Sequence, residues 1–258
     1  MPHFAANLSM MFTEVDFPDR FAAAAGAGFD AVEFLFPYAY PPAQIAEALQ
    51  ANGLTQALFN LPPGDWAAGD RGLAALPARR EEFRASVATA LTYAAATKVG
   101  RVHVMAGIAD RVDTTARATY GESLLYLCDK AGAVGLDVVI EPINKRDMPG
   151  YFLNDFNYAA DLIASLALPN LKLQFDIYHR QILHGDVIKG LQALMPIIGH
   201  VQIAAIPDRH EPCSGELDDV RVLGALDALG YTGFVGCEYR PAGETVAGLG
   251  WLRHFSQR

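Results

Sequence analysis

Eight short apolar segments alternate with longer alanine- and leucine-rich segments along the whole chain. The short segments are rich in β-branched and aromatic residues, and the longer ones repeat apolar residues at helical spacing, which predicts strand followed by helix throughout. The predicted strands begin at His3, Ala31, Leu54, Arg101, Leu136, Leu171, His200 and Gly233. The predicted helices cover residues 16–26, 41–51, 77–98, 113–134, 154–167, 185–195, 217–229 and 243–255. Strands separated by helices pair in parallel, so this order constrains the fold more than any other feature.

Eight strand–helix units within 258 residues match a closed (β/α)8 TIM barrel, an α/β fold that typically needs about 250 residues. A doubly wound open sheet is the alternative. Its dinucleotide-binding form carries a Gly-x-Gly-x-x-Gly motif after the first strand, and this chain has NLSMMFTE there. No linker, low-complexity stretch or block of charge divides the sequence, which predicts a single domain over residues 1–258.

Composition and charge disfavour several classes of protein. The chain is 52% hydrophobic and 19% charged, as is typical of a globular protein. A net charge of −9 disfavours a nucleic-acid partner, because phosphate binding requires a basic patch. The three cysteines are widely separated and predict neither disulfides nor a thiolate zinc site, and no apolar run reaches the length of about 18 residues that a membrane span needs. We expect a soluble cytoplasmic protein without a membrane partner; the oligomeric state stays open, and a homo-oligomer is one alternative.

Four polar residues stand at or near the carboxyl ends of the last four predicted strands. They are Glu141, Asp176, Gln202 and Glu238. A TIM barrel places its active site at that edge, so the four side chains are expected to converge on one mouth. Three carboxylates this close would repel one another unless a cation held them, and oxygen ligands favour Mg²⁺ or Mn²⁺. The alternative is that each acid pairs with a neighbouring arginine or lysine at the rim, as single acids commonly do.

Three histidines lie on or beside the predicted strands. His179 follows Asp176 by the spacing of one helical turn, which would place its imidazole over the same mouth and favours contact with a substrate. For His103, on the fourth strand, substrate binding and a buried structural role are equal alternatives. His200 begins the seventh strand, at the other end of the barrel, and we expect it to be structural.

The longest irregular segment, NLPPGDWAAGDRGLAALP, follows the third strand and is rich in glycine and proline, as functional loops often are. It contains Arg71, a candidate to bind an anionic substrate, and Trp66, which would either exclude water from the site or pack structurally. Arg209, in a later loop, is a second candidate for the anion, because arginine binds carboxylates in a bidentate manner. The alternative for each arginine is an ordinary surface charge.

Five motifs are distinctive enough to compare with known proteins. They are NLPPGDWAAGDRG, EPINKRDMPGYFL, QFDIYHRQILHGD, QIAAIPDRHEPCSGELD and LGYTGFVGCEYRPAGETVAGLGW. Together they resemble the hydroxypyruvate isomerase family of the xylose isomerase-like barrels over nearly the whole chain. The resemblance implies a xylose isomerase-like TIM barrel and a divalent metal held by Glu141, Asp176, Gln202 and Glu238. It also implies that the two glutamates act as acid and base and that His179 contacts the substrate.

The same resemblance implies a small hydroxy-oxo acid as substrate, with hydroxypyruvate and tartronate semialdehyde interconverted through an enediolate. A carboxylate removes a proton from one carbon, and the same or the opposite carboxylate returns one to the next. A divalent cation on the two vicinal oxygens would stabilise the developing charge. The alternatives are a 2-oxo-tetronate isomerase or a ketose 3-epimerase acting on a longer substrate. An abasic-site endonuclease, expected to have more histidine ligands and a basic face, and a non-catalytic barrel are less favoured.

Overall fold

The computed structural model describes residues 2–255. Within them, the strands are β1 His3–Asn7, β2 Ala31–Phe34, β3 Thr55–Phe59, β4 Arg101–His103, β5 Asp137–Ile140, β6 Leu171–Asp176, β7 Ile198–Ile203 and β8 Phe234–Cys237. They form one parallel sheet in the order β3-β2-β1-β8-β7-β6-β5-β4. Leu61 donates its backbone N–H to the carbonyl oxygen of His103 at 2.9 Å, which joins the two ends of the sheet beyond β3 and β4. The sheet therefore curls into a nearly closed barrel, and the predicted (β/α)8 fold is confirmed.

Helices follow the strands and surround the barrel. They are α1 Arg20–Gly26, α2 Pro42–Ala51, α3 Arg80–Thr97, α4 Thr114–Gly132, α5 Phe156–Leu166, α6 Ile177–Leu183, α7 Val187–Leu194, α8 Asp219–Ala228 and α9 Thr245–Gly248. Short 3-10 helices cover Phe17–Asp19, Pro77–Arg79, Met195–Ile197 and Leu249–His254. Among the described helices, none is long and apolar enough to cross a membrane.

Helix α6 is the main departure from the sequence prediction, which placed a strand from Leu171 and no helix before residue 185. The strand instead ends at Asp176, whose carboxylate accepts the backbone N–H of Tyr178 at 2.8 Å. An aspartate in this position is a helix N-cap, because its oxygen satisfies an N–H that the first turn leaves without a partner. The chain therefore turns into a helix directly at the barrel edge.

Two further boundaries differ from the prediction. The helix predicted over 243–255 is α-helical only over Thr245–Gly248 and continues as a 3-10 helix over Leu249–His254. Gly248 and Gly250, in the middle of this segment, are poor helix formers and account for the weak α-helix. Strand β7 begins at Ile198, before the predicted start at His200, which places that histidine within the strand.

The barrel interior and the layer outside it differ in polarity. A continuous cluster of apolar side chains packs the sheet against the helices. Inside the barrel, by contrast, the strands bury several polar side chains, namely Glu33, Gln174, His200 and Gln202. Burying polar groups costs free energy unless they are hydrogen-bonded, so these residues need partners within the barrel.

Candidate active site

A cavity of about 560 Å³ opens at the carboxyl ends of the strands. Its lining includes residues that come within two positions of a strand end, namely Leu35, Asn60, Met105, Glu141 and Glu238. This is the edge at which TIM barrels carry their active sites, because the loops that follow the strands meet there.

Four buried side chains come together at this cavity: Glu141, Asp176, His179 and Glu238. One potential ligand atom from each lies within 4.8 Å of the other three. Glu141 and Glu238 directly follow β5 and β8, Asp176 ends β6, and His179 lies in the first turn of α6. The structure thus brings three of the four predicted metal ligands together with the histidine predicted to contact the substrate.

Burial and mutual repulsion dominate the electrostatics of these acids. Burial raises the pKa of Glu238 to about 8 and the pKa of Asp176 to about 6, against the opposing effect of Arg209. The pKa of Glu141 lies well above its ordinary value, first because of burial and then because of the charges of Glu238 and Asp176. The group therefore resists carrying three negative charges without a cation.

Two oxygens of this group are left without a hydrogen-bond partner among the described residues. They are Oε1 of Glu141 and Oδ2 of Asp176, and both are buried. A buried carboxylate oxygen without a donor costs free energy, and a bound cation would compensate both at once. Carboxylate oxygens are the ligands that Mg²⁺ and Mn²⁺ prefer. The residues therefore fit a divalent cation.

Gln202, the fourth predicted ligand, pairs with Asp176 in the register of β6 and β7 and is buried. Its Nε2 donates to Oε1 of Glu33 at 2.7 Å, and its Oε1 accepts from Nε2 of Gln174 at 2.6 Å. The amide is therefore held by neighbours inside the barrel, and its contact with a cation stays a prediction.

The proton of His179 is placed by Asn144, a residue that the sequence analysis did not select. The backbone N–H of Asn144 donates to Nδ1 of His179 at 3.3 Å, and a backbone N–H can only donate. Burial holds the pKa of His179 well below its ordinary value, so the neutral ring carries its proton on Nε2. This atom lies 3.5 Å from Oδ2 of Asp176. In this tautomer Nε2 offers a hydrogen-bond donor at the mouth, and the predicted contact of His179 with the substrate stays a prediction.

His103 also lies beside the acids. It is buried, and Nε2 of its ring is 3.8 Å from Oε2 of Glu141. Burial lowers the pKa of His103 to about 3, so the ring is neutral. Neither ring nitrogen has a hydrogen-bond partner within residues 2–255, and the residue lines the cavity. Its predicted role in substrate binding stays a prediction.

Arg209 lies over the acids. Its guanidinium contacts the carboxylate of Glu238, approaches Oδ2 of Asp176 to 3.6 Å and stacks 4.8 Å from the ring centre of Tyr178. The backbone of Arg209 has a φ of 59°, in the left-handed region that a residue with a side chain adopts at a cost. Its carbonyl oxygen accepts the N–H of Arg240 at 2.8 Å, which helps to hold this conformation. Strain at such a position is a hallmark of functional sites.

The loop after β3 brings Arg71 and Trp66 into the cavity wall. The guanidinium of Arg71 stacks 3.9 Å from the ring centre of Trp66. Arg146 and Arg240 line the same cavity and were missed by the sequence analysis, although both follow strand-end glutamates within a few residues. Arg146 donates from Nη2 to the hydroxyl of Tyr178 at 3.1 Å. With Arg209, four arginines line the cavity at which the acids meet, an arrangement that suits an anionic substrate.

A family model described as xylose isomerase-like TIM barrel matches residues 21–255. The chain belongs to the xylose isomerase-like TIM barrel family. Named relatives are more informative than the family model, because their matches cover 98–100% of the chain.

Two curated relatives and one solved structure illustrate the family. A 2-oxo-tetronate isomerase from Cupriavidus necator is 54% identical over 260 residues, covering 100% of both chains. A hydroxypyruvate isomerase from Escherichia coli is 42% identical over 254 residues, covering 98% of each. A crystal structure described as AP endonuclease, family 2, from Brucella melitensis superposes with a TM-score of 0.96 at 46% identity, with 100% of both chains covered. The curated relatives confirm the resemblance to hydroxypyruvate isomerases and the predicted enzyme class, an isomerase.

Proposed function

We propose that this protein is a divalent metal-dependent isomerase of short 2-oxo acids, which moves a carbonyl group between C2 and C3. The observation that carries the proposal is that one buried carboxylate oxygen of Glu141 and one of Asp176 lack a hydrogen-bond partner among the described residues. Both acids lie beside Glu238, at a cavity that four arginines line. The acids supply proton-transfer groups and cation ligands, and the arginines supply a site for the substrate carboxylate.

The first substrate to test is 2-oxo-tetronate, because the relative at 54% identity carries that name. Hydroxypyruvate, the substrate favoured by the sequence analysis, is the second candidate and is supported by the relative at 42% identity. Both acids contain the same reacting unit, a carboxylate, a ketone at C2 and a hydroxyl-bearing C3. The longer acid adds a hydroxymethyl group on C3, and a cavity of about 560 Å³ has room for either.

The proposed reaction needs a proton to leave C3 and a proton to reach C2. Glu141 follows β5 and Glu238 follows β8, and β6 and β7 lie between these two strands in the sheet. The two glutamates therefore reach the cavity from different sides. One carboxylate removes the C3 proton to give the enediolate, and the same or the other glutamate delivers a proton to C2. The proton of the C3 hydroxyl is transferred to the C2 oxygen, so that C3 becomes the carbonyl carbon and C2 carries the hydroxyl.

The remaining residues bind and orient the substrate. His179 presents its Nε2–H to a substrate oxygen, and His103 offers a second neutral imidazole beside Glu141. Arg209 and Arg71 are proposed to hold the substrate carboxylate, with Trp66 shielding that end of the cavity from water. When bound at Glu141, Asp176, Glu238 and Gln202, the cation supplies Lewis-acid stabilisation of negative charge on the substrate oxygens.

The test is an assay in D₂O on protein freed of metal with a chelator and then supplied with Mn²⁺, Mg²⁺ or no metal. Proton NMR should show the 3-oxo product forming from 2-oxo-tetronate or hydroxypyruvate, with deuterium entering at C2, only when metal is present. Lack of turnover of both acids with both metals would contradict the proposal. Turnover without metal would contradict its metal dependence.

Two control substrates separate the alternatives. Epimerisation of a five- or six-carbon ketose, without turnover of either acid, would favour a ketose 3-epimerase. Cleavage of a duplex that contains an abasic site would favour an endonuclease, the activity named for the Brucella melitensis structure. The acidic net charge of −9 argues against that outcome.

A further inference from the structure

A further buried acid, Glu33 on β2, lies inside the barrel and is 1% exposed. Both of its carboxylate oxygens have close nitrogen partners. Oε1 accepts from Nδ2 of Asn7 at 3.0 Å and from Nε2 of Gln202 at 2.7 Å. Oε2 lies 2.6 Å from Nε2 of His200, the histidine that the sequence analysis expected to be structural. The carboxylate is thus anchored by β1 and β7 at the same time as it contacts Gln202.

Strand β8 leaves room for this carboxylate at Gly236. A Cβ atom at position 236 would collide with both oxygens of Glu33, so a side chain there would displace the acid. Gly236 also pairs with Gln202 in the register of β7 and β8. Glycine within a strand often marks such a close approach. The absence of a side chain at Gly236 therefore leaves space inside the barrel at the point where Glu33 meets Gln202.

Glu33 determines which way the Gln202 amide points. A carboxylate accepts hydrogen bonds and cannot donate them, so the amide must turn its Nε2 towards Glu33 and its Oε1 away. Oε1 then accepts one hydrogen bond, from Gln174, and an amide oxygen has a second lone pair. Without Glu33 the amide could rotate by about 180° and present an N–H group, which cannot bind a cation.

We propose that Glu33 is a positioning residue that fixes the Gln202 amide so that its oxygen, rather than its nitrogen, is available to the cation. Glu33 acts through Gln202, while Asn7 and His200 hold the carboxylate of Glu33 in place. The inference rests on the proposed function, since it requires a cation at Glu141, Asp176 and Glu238. It explains why a charged residue is retained inside the barrel beneath an already acidic mouth.

The test is Mn²⁺ binding to chelator-treated protein, measured by isothermal titration calorimetry. Glu33→Gln replaces an acceptor-only group by an amide of nearly the same shape, and we expect its Mn²⁺ affinity to fall by about 10–100-fold, as for other residues that orient metal ligands. The exchanged pair, Glu33→Gln with Gln202→Glu, keeps the net charge and again presents an oxygen, so we expect its affinity to return to within about threefold of the wild type.

The matched control is Glu14→Gln. Glu14 also accepts hydrogen bonds, from the backbone N–H and hydroxyl of Thr245, but it is not part of the cavity lining. Its affinity for Mn²⁺ should match that of the wild type. Circular dichroism melts of the metal-free proteins establish that each variant is folded. If Glu33→Gln is unfolded, the exchanged pair, which restores one acid and one amide, decides alone.

Wild-type affinity in Glu33→Gln would overturn the inference while leaving the proposed function intact. An exchanged pair that binds Mn²⁺ no better than Glu33→Gln, or far more weakly than the wild type, would also overturn it, because the loss would then reflect the missing structural partner of His200. Absence of Mn²⁺ binding by the wild-type protein would instead refute the metal dependence of the proposed function, and the inference with it.

Discussion

Glu33 and Glu141 are both glutamates buried inside the same barrel, and they differ in what their carboxylates contact. Both oxygens of Glu33 have nitrogen partners within 3.0 Å. Oε1 of Glu141 has no hydrogen-bond partner within the described residues, and its neighbours Asp176 and Glu238 are themselves acids. Burial alone therefore does not distinguish a ligand-binding acid from a structural one. The state of its hydrogen bonds adds to the distinction, because a bound cation would compensate a buried carboxylate oxygen that has no donor.

The largest expected effect comes from replacing Glu141 or Glu238, the two glutamates proposed to transfer protons. Glu141→Gln and Glu238→Gln should each lower kcat by about 100- to 10,000-fold, the usual contribution of a positioned acid or base. Glu141→Gln should melt at least as high as the wild type when metal-free, because it removes one source of repulsion among the buried acids, whereas Glu238→Gln also loses the ion pair with Arg209. NMR rates with 2-oxo-tetronate and thermal melts measure the two effects, with Glu14→Gln as the control. Activity retained in both variants would show that neither glutamate transfers the proton.

His179→Ala tests whether this histidine is a donor or a ligand. Loss of one hydrogen bond in a buried site corresponds to roughly 1.5–3 kcal/mol, so kcat/KM should fall by about 10–100-fold. The affinity for Mn²⁺ should stay close to that of the wild type, because Nε2 carries a proton and is unavailable to a metal. Calorimetry on the metal-free variant provides the readout. A parallel loss of Mn²⁺ affinity would make His179 a fifth ligand and remove the distinction drawn from its contact with Asn144.

The buried acids at the cavity should also make the stability of the metal-free protein sensitive to pH. The pKa of Glu238 is about 8 in the folded protein, against an ordinary value of 4.5, so the folded state keeps a proton that the unfolded chain releases. The free energy of unfolding should therefore fall as pH rises from about 5 to about 8, and Tm should fall by roughly 2–4 °C for each kcal/mol lost. Melts across this range should show a smaller decline with Mn²⁺ present and in Glu238→Gln. A Tm of the metal-free protein that rises over the same range would contradict the repulsion inferred for the acids.

Arg71→Ala should have the smallest effect on catalysis. Arg71 is held against the ring of Trp66 at the outer wall of the cavity, where solvent weakens its attraction for a carboxylate. We expect KM to rise by about threefold to tenfold with little change in kcat. Arg84→Ala, which removes an exposed arginine that pairs with Glu81 on α3, is the matched control. Equal KM values for the two variants would assign Arg71 to the ordinary surface charges.

The sequence predicted the barrel and the acids at its mouth better than the polar side chains buried deeper inside the barrel. Glu141, Asp176 and Glu238 follow from one rule, the position of polar residues at the ends of parallel strands. Glu33 could not be recognised in this way, because its partners Asn7 and His200 lie 26 and 167 residues away and meet it only when the barrel closes. Strand patterns record which residues are buried, whereas hydrogen bonds across a barrel depend on register.

Outside the strands, too, some site residues could be selected from the sequence and others could not. Trp66 and Arg71 could be selected because their segment is long and rich in glycine and proline. Helix α6 was missed because the apolar Ile177 continues the strand pattern, and only the N-cap at Asp176 ends the strand. The role of Asn144 depends on a backbone N–H that faces His179, which no residue type reveals.

The two oxygens of Asp176 have different roles: one caps a helix, and the other is proposed to bind the cation. Oδ1 begins helix α6 by accepting the N–H of Tyr178, and Oδ2 has no hydrogen-bond partner among the described residues and lies beside the other acids of the mouth. His179 sits one turn into that helix, so a residue without an oxygen at position 176 would disturb the imidazole as well as the acid group. Mutational tolerance here should be narrow for two independent reasons. Asparagine can keep the cap while it removes the charge, so it is the replacement that would separate the two demands on this position in any evolutionary or engineering experiment.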